Sequence, residues 1–76
     1  RSVQIITQPD HAQVYFGNEL LGITPLELFF TEDAYVELTI RKEGYYEKYL
    51  ELDMREVKNE FHIELEERNE EQEAEW

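Results

Sequence analysis

The chain reads PDHAQVYFGNELLGITPL from Pro9 to Leu26. Three turn signals punctuate this stretch, at residues 9–10, 17–18 and 22–25, because proline, glycine, asparagine and aspartate allow the backbone to reverse direction cheaply. Two short apolar runs lie between the turns, and the first alternates polar and apolar side chains. Short alternating runs between close turns are typical of antiparallel β structure. The stretch therefore predicts an all-β domain.

The same pattern continues on both sides of that stretch. It predicts seven short strands, at residues 3–7, 13–16, 20–21, 26–30, 35–41, 45–52 and 59–66. We expect a small antiparallel β-sandwich, because each strand has one apolar face to bury. The predicted filling between the layers consists of Val14, Phe16, Val36, Leu38, Ile40, Phe61 and Ile63. Lys48 falls in the apolar phase of its strand, which predicts an edge position or a bulge there.

The C-terminal part of the sequence is ambiguous. Apolar residues recur at helical spacing from Met54, but Ile63 interrupts that stripe, so a strand is favoured. Beyond Arg68 no apolar residue follows until Ala74. We predict a sandwich domain over residues 1–66 and an acidic tail or linker, helical or disordered, over residues 67–76.

Composition limits the possible functions. The chain has 76 residues, no cysteine and a formal net charge of −12. One domain is the most that this length supports, and no apolar run approaches the ~20 residues of a membrane span. The negative charge repels phosphate backbones and anionic lipids, so we expect neither nucleic acid nor direct membrane insertion. The first residue is Arg1 rather than methionine, which suggests a piece of a larger protein.

The turns and strands, in this order, resemble the PEGA domain family. The naming Pro-Glu-Gly-Ala turn corresponds to residues 9–12, where Asp10 replaces glutamate and His11 replaces glycine. Residues 13–18 resemble the family's valine-aromatic strand and glycine turn, and residues 21–26 its Leu-Gly-x-Thr-Pro-Leu signature. A late Gly-Tyr corresponds to residues 44–45.

The resemblance implies a sandwich similar to transthyretin-like and carboxypeptidase-regulatory-like domains. It also implies a non-catalytic accessory module, found mainly in surface proteins, lipoproteins and other extracytoplasmic proteins. Such a module would make protein–protein or envelope contacts, or act as a spacer. An extracytoplasmic location is expected from the resemblance alone.

The residues themselves support no enzyme assignment. Ser2 is the only serine, and no glycine-rich phosphate loop is present. Glu60, His62 and Glu64 alternate along a predicted strand and share one face, but a spacing of about 6.6–7 Å between neighbours is wide for one metal ion. We interpret them as a polar outer face. No catalytic, metal-binding or cofactor-binding residue is therefore assigned, and no cofactor is expected.

The tyrosines give the best indication of a binding surface. Four of them fall in the polar phase of their strands: Tyr15, Tyr35, Tyr45 and Tyr49. Tyrosine offers a large rigid contact area and a hydroxyl, so we expect these rings to bind a protein partner or neighbouring domains of the parent chain. Exposed strand edges could add a strand from a partner. Two alternatives stay open: a carbohydrate-binding module that uses the same rings, and a small acidic metal-binding domain.

Overall fold

Seven strands form the part of the chain that the structure, a computed structural model, describes, namely residues 2–31, 33–55 and 58–68. The strands are β1 (Ser2–Gln8), β2 (Gln13–Phe16), β3 (Glu19–Ile23), β4 (Leu26–Phe29), β5 (Tyr35–Arg41), β6 (Lys48–Asp53) and β7 (Glu60–Glu64). Within these ranges no helix occurs. The predicted all-β class and the number of strands are confirmed. The predicted tail lies largely outside the described residues.

The strands form two sheets. One has the order β4-β1-β7 and the other β3-β2-β5-β6, so β3 and β6 are the edges of the larger sheet. Four of the five strand pairs are antiparallel, and β1 and β7 are parallel. The predicted edge position of Lys48, the first residue of β6, is confirmed.

The core lies between the two sheets. Its buried apolar residues are Val3, Ile5, Ala12, Val14, Leu38, Ile40, Leu52, Met54 and Leu65. Of the predicted filling, Val36, Phe61 and Ile63 are half-buried and pack against this cluster. One predicted core residue, Phe16, lies outside the core.

Phe16 is 49% exposed, which corrects the prediction. It is the last residue of β2 and is followed by the turn at Gly17, whose φ is 61°. The pairing of β2 with β3 also shifts register between Val14 and Tyr15. Strict alternation from Val14 would place Phe16 on the inner face. The extra residue at the shift belongs to β3, however, and the pairing of β2 with β5 ends at Tyr15. Phe16 therefore lies at a strand end beside a tight turn, where the alternation of β2 no longer places a side chain in the core.

A buried polar network joins the segment before β4 to β1. The Thr24 hydroxyl accepts a hydrogen bond from the Ala12 backbone N–H at 2.9 Å and lies 2.7 Å from the Thr7 hydroxyl. Thr7 donates in turn to the Pro9 carbonyl at 2.7 Å. Every side-chain polar atom buried in the described residues has a hydrogen-bond partner. Apolar packing can therefore surround this network without a desolvation penalty.

The turn between β1 and β2 holds His11 at a φ of 64°. A side chain with a Cβ pays about 1–2 kcal/mol in the left-handed region, whereas glycine pays nothing there. The His11 imidazole lies 3.0 Å from the Asp10 carboxylate, but both side chains are exposed, so this contact contributes little stability.

We expect His11→Gly to unfold at a higher denaturant concentration than His11→Val, with a difference of about 1–2 kcal/mol in the free energy of unfolding. The neighbouring strand position Gln13 is exposed and extended, so it provides the control. There the order should reverse, because valine favours strands and glycine does not. If valine were more stable than glycine at residue 11 as well as at Gln13, the backbone of His11 would carry no strain.

Candidate functional site

Three of the four predicted contact tyrosines lie on the outer face of the four-stranded sheet. Tyr35 is 57% exposed, Tyr49 is 72% exposed and Tyr15 is half-buried. In the antiparallel register, Thr39 of β5 is opposite both Tyr15 of β2 and Tyr49 of β6. Tyr15 and Tyr49 therefore belong to one row across the sheet, whereas Tyr35 lies at the other end of β5.

Four side chains around this row form a connected group, which we call the tyrosine–arginine cluster: Tyr15, Arg41, Glu47 and Tyr49. The Arg41 Nε donates to Glu47 Oε2 at 2.6 Å, and the Tyr49 hydroxyl donates to Glu47 Oε1 at 2.9 Å. The guanidinium carbon of Arg41 lies 5.3 Å from the centre of the Tyr15 ring, within the range of a cation–π contact. The cluster lines a shallow depression of about 230 Å³.

The hydrogen bonds of the cluster fix its charge states. The pKa of Glu47 lies below its usual range, first because Arg41 donates to the carboxylate and second because Tyr49 does. The pKa of Tyr49 is raised, since Glu47 accepts the phenolic proton in a hydrogen bond and its charge opposes a phenolate. The pKa of Arg41 is raised by the same carboxylate. At neutral pH the cluster is one anion held between a cation and a neutral phenol.

Acid should disrupt this cluster only below the ordinary titration range of a glutamate. The folded-state pKa of Glu47 is depressed, so its contribution to stability is present above the unfolded-state pKa and is lost as the pH falls through the folded-state pKa. We expect carboxyl ¹³C NMR to show Glu47 titrating below the usual range of a glutamate. Replacing Arg41 by glutamine should move the pKa of Glu47 upward. An unchanged pKa in that variant would mean that the ion pair does not form in solution.

Acidic side chains lie between Tyr35 and Tyr49. Glu37 of β5 and Glu51 of β6 are directly opposite each other, an arrangement that is unfavourable for like charges. The pKa of Tyr35 is raised by local desolvation and then by the charge and hydrogen bond of Glu51. The outer face of the larger sheet therefore combines two exposed phenols with carboxylates.

Tyr45 does not lie on this face, which corrects the predicted orientation. Its ring is half-buried and packs against the core, while Tyr46 is the exposed one. The prediction assumed one strand over residues 45–52, but β6 begins at Lys48. Tyr45 instead forms an isolated bridge with Glu67, and its N–H donates to the Lys42 carbonyl in a turn. The alternation of β6 therefore cannot be extended back to Tyr45.

The sequence analysis did not single out Arg41 and Glu47. Arg41 ends β5 on the same face as Thr39, and Glu47 immediately precedes β6. A signal was available, because an arginine and a glutamate on either side of a predicted reversal at residues 43–44 fall opposite each other in an antiparallel pair. Attention to the aromatic residues alone missed this pair.

The proposed metal ligands do not assemble a site. Glu60, His62 and Glu64 lie on the exposed face of β7, and the His62 Nε2 is 3.5 Å from a Glu60 carboxylate oxygen. Over residues 2–31, 33–55 and 58–68, no group of three or more histidine, aspartate or glutamate side chains could hold a metal ion. The geometry here is that of a polar outer face.

The sequence model of the PEGA domain family matches residues 1–69. The chain belongs to the PEGA domain family. PEGA domains are non-catalytic accessory domains and are generally found in extracytoplasmic proteins. Neither the search of curated proteins nor the search of solved structures found a match. Among the residues described, no helix is long and apolar enough to cross a membrane.

The structure gives physical roles to the PEGA signature of residues 21–26. Thr24 supplies the buried hydroxyl that satisfies the Ala12 amide. Gly22 has Leu26 against it: a Cβ built on this glycine would lie 2.6 Å from the Leu26 Cδ1. The signature therefore closes the end of the PEGA sandwich where β3 leads into β4, on the side of the molecule away from β6.

Proposed function

We propose that this PEGA domain is a non-catalytic accessory module of a larger extracytoplasmic protein and binds a protein partner through the outer face of its four-stranded sheet. The tyrosine–arginine cluster is the observation that carries the proposal. Tyrosine and arginine are enriched among residues that dominate protein interfaces. Here both types occur together on one open sheet face.

Preorganisation supports this role. Glu47 holds both the Arg41 guanidinium and the Tyr49 hydroxyl, and Arg41 also lies against Tyr15. Side chains that are already ordered lose less conformational entropy when a partner binds. The Tyr49 ring remains 72% exposed and is the largest accessible apolar surface of the cluster. A partner would therefore bind to an exposed aromatic ring next to polar side chains that are already held in place by hydrogen bonds.

The test is quantitative capture by the immobilised domain from an extracytoplasmic fraction of the source cells. The double variant Tyr15→Ala/Tyr49→Ala should lose the proteins that the unmodified domain enriches, by about tenfold or more, as expected when two interface anchors are removed. Tyr46→Ala is the matched control, because Tyr46 is 48% exposed but lies outside the cluster. The control should capture as well as the unmodified domain.

Thermal unfolding must accompany the capture experiment. Tyr49 is well exposed, so Tyr49→Ala should change the melting temperature little. A large loss of stability would assign the ring a structural role. Equal capture by the double variant and the unmodified domain would refute the proposed surface.

Carbohydrate binding is the second candidate function. The depression beside Tyr49 favours it, because an open aromatic ring next to hydrogen-bonding side chains can stack on a sugar ring. Of the two tyrosines that line this depression, Tyr49 has the more accessible ring, since the Arg41 guanidinium lies over Tyr15. A glycan array would decide: saturable binding that Tyr49→Ala abolishes supports this function, and no binding at millimolar sugar excludes it.

A further inference from the structure

The two sheets of the sandwich differ in their number of strands, and β6 and β7 are the edge strands on one side of it. The smaller sheet has three strands and the larger has four. Among the described residues, no strand pairs with the outer edge of β7, which is the last strand of the smaller sheet. A groove of about 800 Å³ lies between the edges of β6 and β7. Its walls come from both sheets.

Among the described residues, the outer edge of β7 presents backbone groups that no other strand pairs with. The Gln4 N–H donates to the Asn59 carbonyl, and the Leu65 N–H donates to the Gln8 carbonyl. In a strand, successive residues direct their N–H and C=O groups to opposite sides, so the odd-numbered residues of this segment bond to β1. The N–H and C=O groups of Glu60, His62 and Glu64 therefore point away from β1, toward the groove edge.

The floor of the groove is apolar and its β7 side is acidic, whereas Lys48 and Tyr49 line its β6 side. Leu50 and Ile63 line it and are half-buried against the core. Glu64 at the end of β7 and Glu66 just after it also line the groove, and both are exposed. Glu60 is also exposed and follows the same edge of β7. A bound segment would therefore be favoured if its apolar side chains faced the floor and its cationic side chains faced the glutamates.

The edge of β6 is less suited to pairing than that of β7. Lys48 lies in the inner phase of β6, and an inward charge on an edge strand discourages the addition of another strand. The end of the groove is also occupied by the chain itself, since Tyr46 donates to the Glu66 carbonyl and Arg68 to the Gly44 carbonyl. An added strand is thus directed to β7, with one end of the groove already closed.

We propose that this groove binds an extended basic peptide segment, which pairs with the outer edge of β7 as an eighth strand and equalises the two sheets. Alternate residues of the segment are apolar and face Leu50 and Ile63, and the others are lysine or arginine and face the glutamates of β7. Backbone pairing supplies affinity and the alternating side chains supply selectivity. A second copy of this chain is a poor occupant, because both copies carry a formal charge of −12.

This inference rests on the proposed role as a binding module, and its groove shares only Tyr49 with the tyrosine–arginine cluster. The two can therefore fail separately. Tyr15→Ala should bind a groove peptide as tightly as the unmodified domain, because Tyr15 does not line the groove. Substitutions along β7 should leave capture through the cluster unchanged.

The probe is a capped seven-residue peptide in which lysine alternates with valine, and a peptide with glutamate in place of lysine is its control. We expect the basic peptide to shift the backbone amide NMR signals of Glu60, His62 and Glu64 in a saturable way. The glutamate peptide should not shift them. These amides should also exchange more slowly with solvent when the peptide is bound. Affinity should fall as salt is raised, because the glutamates of β7 are exposed.

His62→Pro tests the backbone pairing. The His62 N–H faces the free edge, so proline removes a donor to the added strand without removing a bond to β1. We expect about fivefold weaker binding or worse, the equivalent of one backbone hydrogen bond. His62→Ala keeps the N–H and should bind within about twofold of the unmodified domain, since loss of an exposed side chain is a small change.

Glu60→Gln/Glu64→Gln tests the glutamates of β7 and serves if His62→Pro does not fold. It should weaken binding by about threefold and reduce the dependence on salt, as expected for exposed ion pairs. Equal binding of both peptides would overturn the proposal. So would shifts confined to the tyrosine–arginine cluster, or a folded His62→Pro that binds like the unmodified domain.

Discussion

Ile5→Ala is expected to lower the free energy of unfolding by about 2–5 kcal/mol, the range for truncating a buried isoleucine. Ile5 is fully buried at the centre of β1, where Leu26 and Phe61 are its register partners on either side. A domain of this size has about 4–11 kcal/mol of stability in total. The variant should therefore melt at least about 8 °C lower, or fail to fold at growth temperature.

Ile23→Ala is the matched control for Ile5→Ala. It removes the same atoms from a residue that is 42% exposed on β3, and should cost less than about 1 kcal/mol. Urea unfolding followed by circular dichroism measures both variants. Similar losses at the two positions would contradict a core centred on β1.

Thr24→Val is expected to cost about 1–3 kcal/mol, although it preserves the shape of the side chain. The substitution removes the acceptor of the Ala12 N–H, which is buried away from solvent. It also removes the partner of the Thr7 hydroxyl, which can still donate to the Pro9 carbonyl. The unsatisfied Ala12 amide therefore dominates the loss.

Two substitutions serve as controls for Thr24→Val. Thr24→Ser keeps the hydroxyl and should retain most of the stability. Thr39→Val makes the same chemical change on the outer face of β5, where solvent reaches the site, and should be nearly neutral. Chemical denaturation of the three variants gives the comparison. A Thr24→Val domain as stable as Thr39→Val would mean that the buried network contributes no net stability.

Most of the fold could be predicted because the turn residues are explicit. Strands β2 and β5 have the predicted bounds, and the other five differ from prediction by a few residues at their ends. Glycine, proline and asparagine act through local backbone preferences, so their effect can be judged from sequence. The parallel pairing of β1 with β7 joins distant parts of the chain, and alternation within one strand carries no information about its neighbour.

The errors occurred where strands end. Phe16 was assigned to the core and Tyr45 to the outer face by extending the alternation of a strand to its end or past it. Phe16 is the last residue of β2, and Tyr45 precedes the start of β6. The alternation of side chains between the two faces of a sheet holds only while the strand remains paired.

The candidate site was predicted only in part for a related reason. Tyr15 and Tyr49 were each expected to point outward from their strands, and the register places them in one row with Thr39 between them. The role of Glu47 depends on side-chain conformation: one carboxylate binds both Arg41 and Tyr49. Such a shared contact is set by cross-strand geometry rather than by composition.

The parallel contact between β1 and β7 determines how the domain carries mechanical load. Tension applied at the start of β1 and the end of β7 acts along the two strands in opposite directions. All the hydrogen bonds of this ladder are then sheared together, instead of being unzipped one after another. A tether that enters through β1 and leaves after β7 would therefore resist stretching until the whole ladder breaks in a single step.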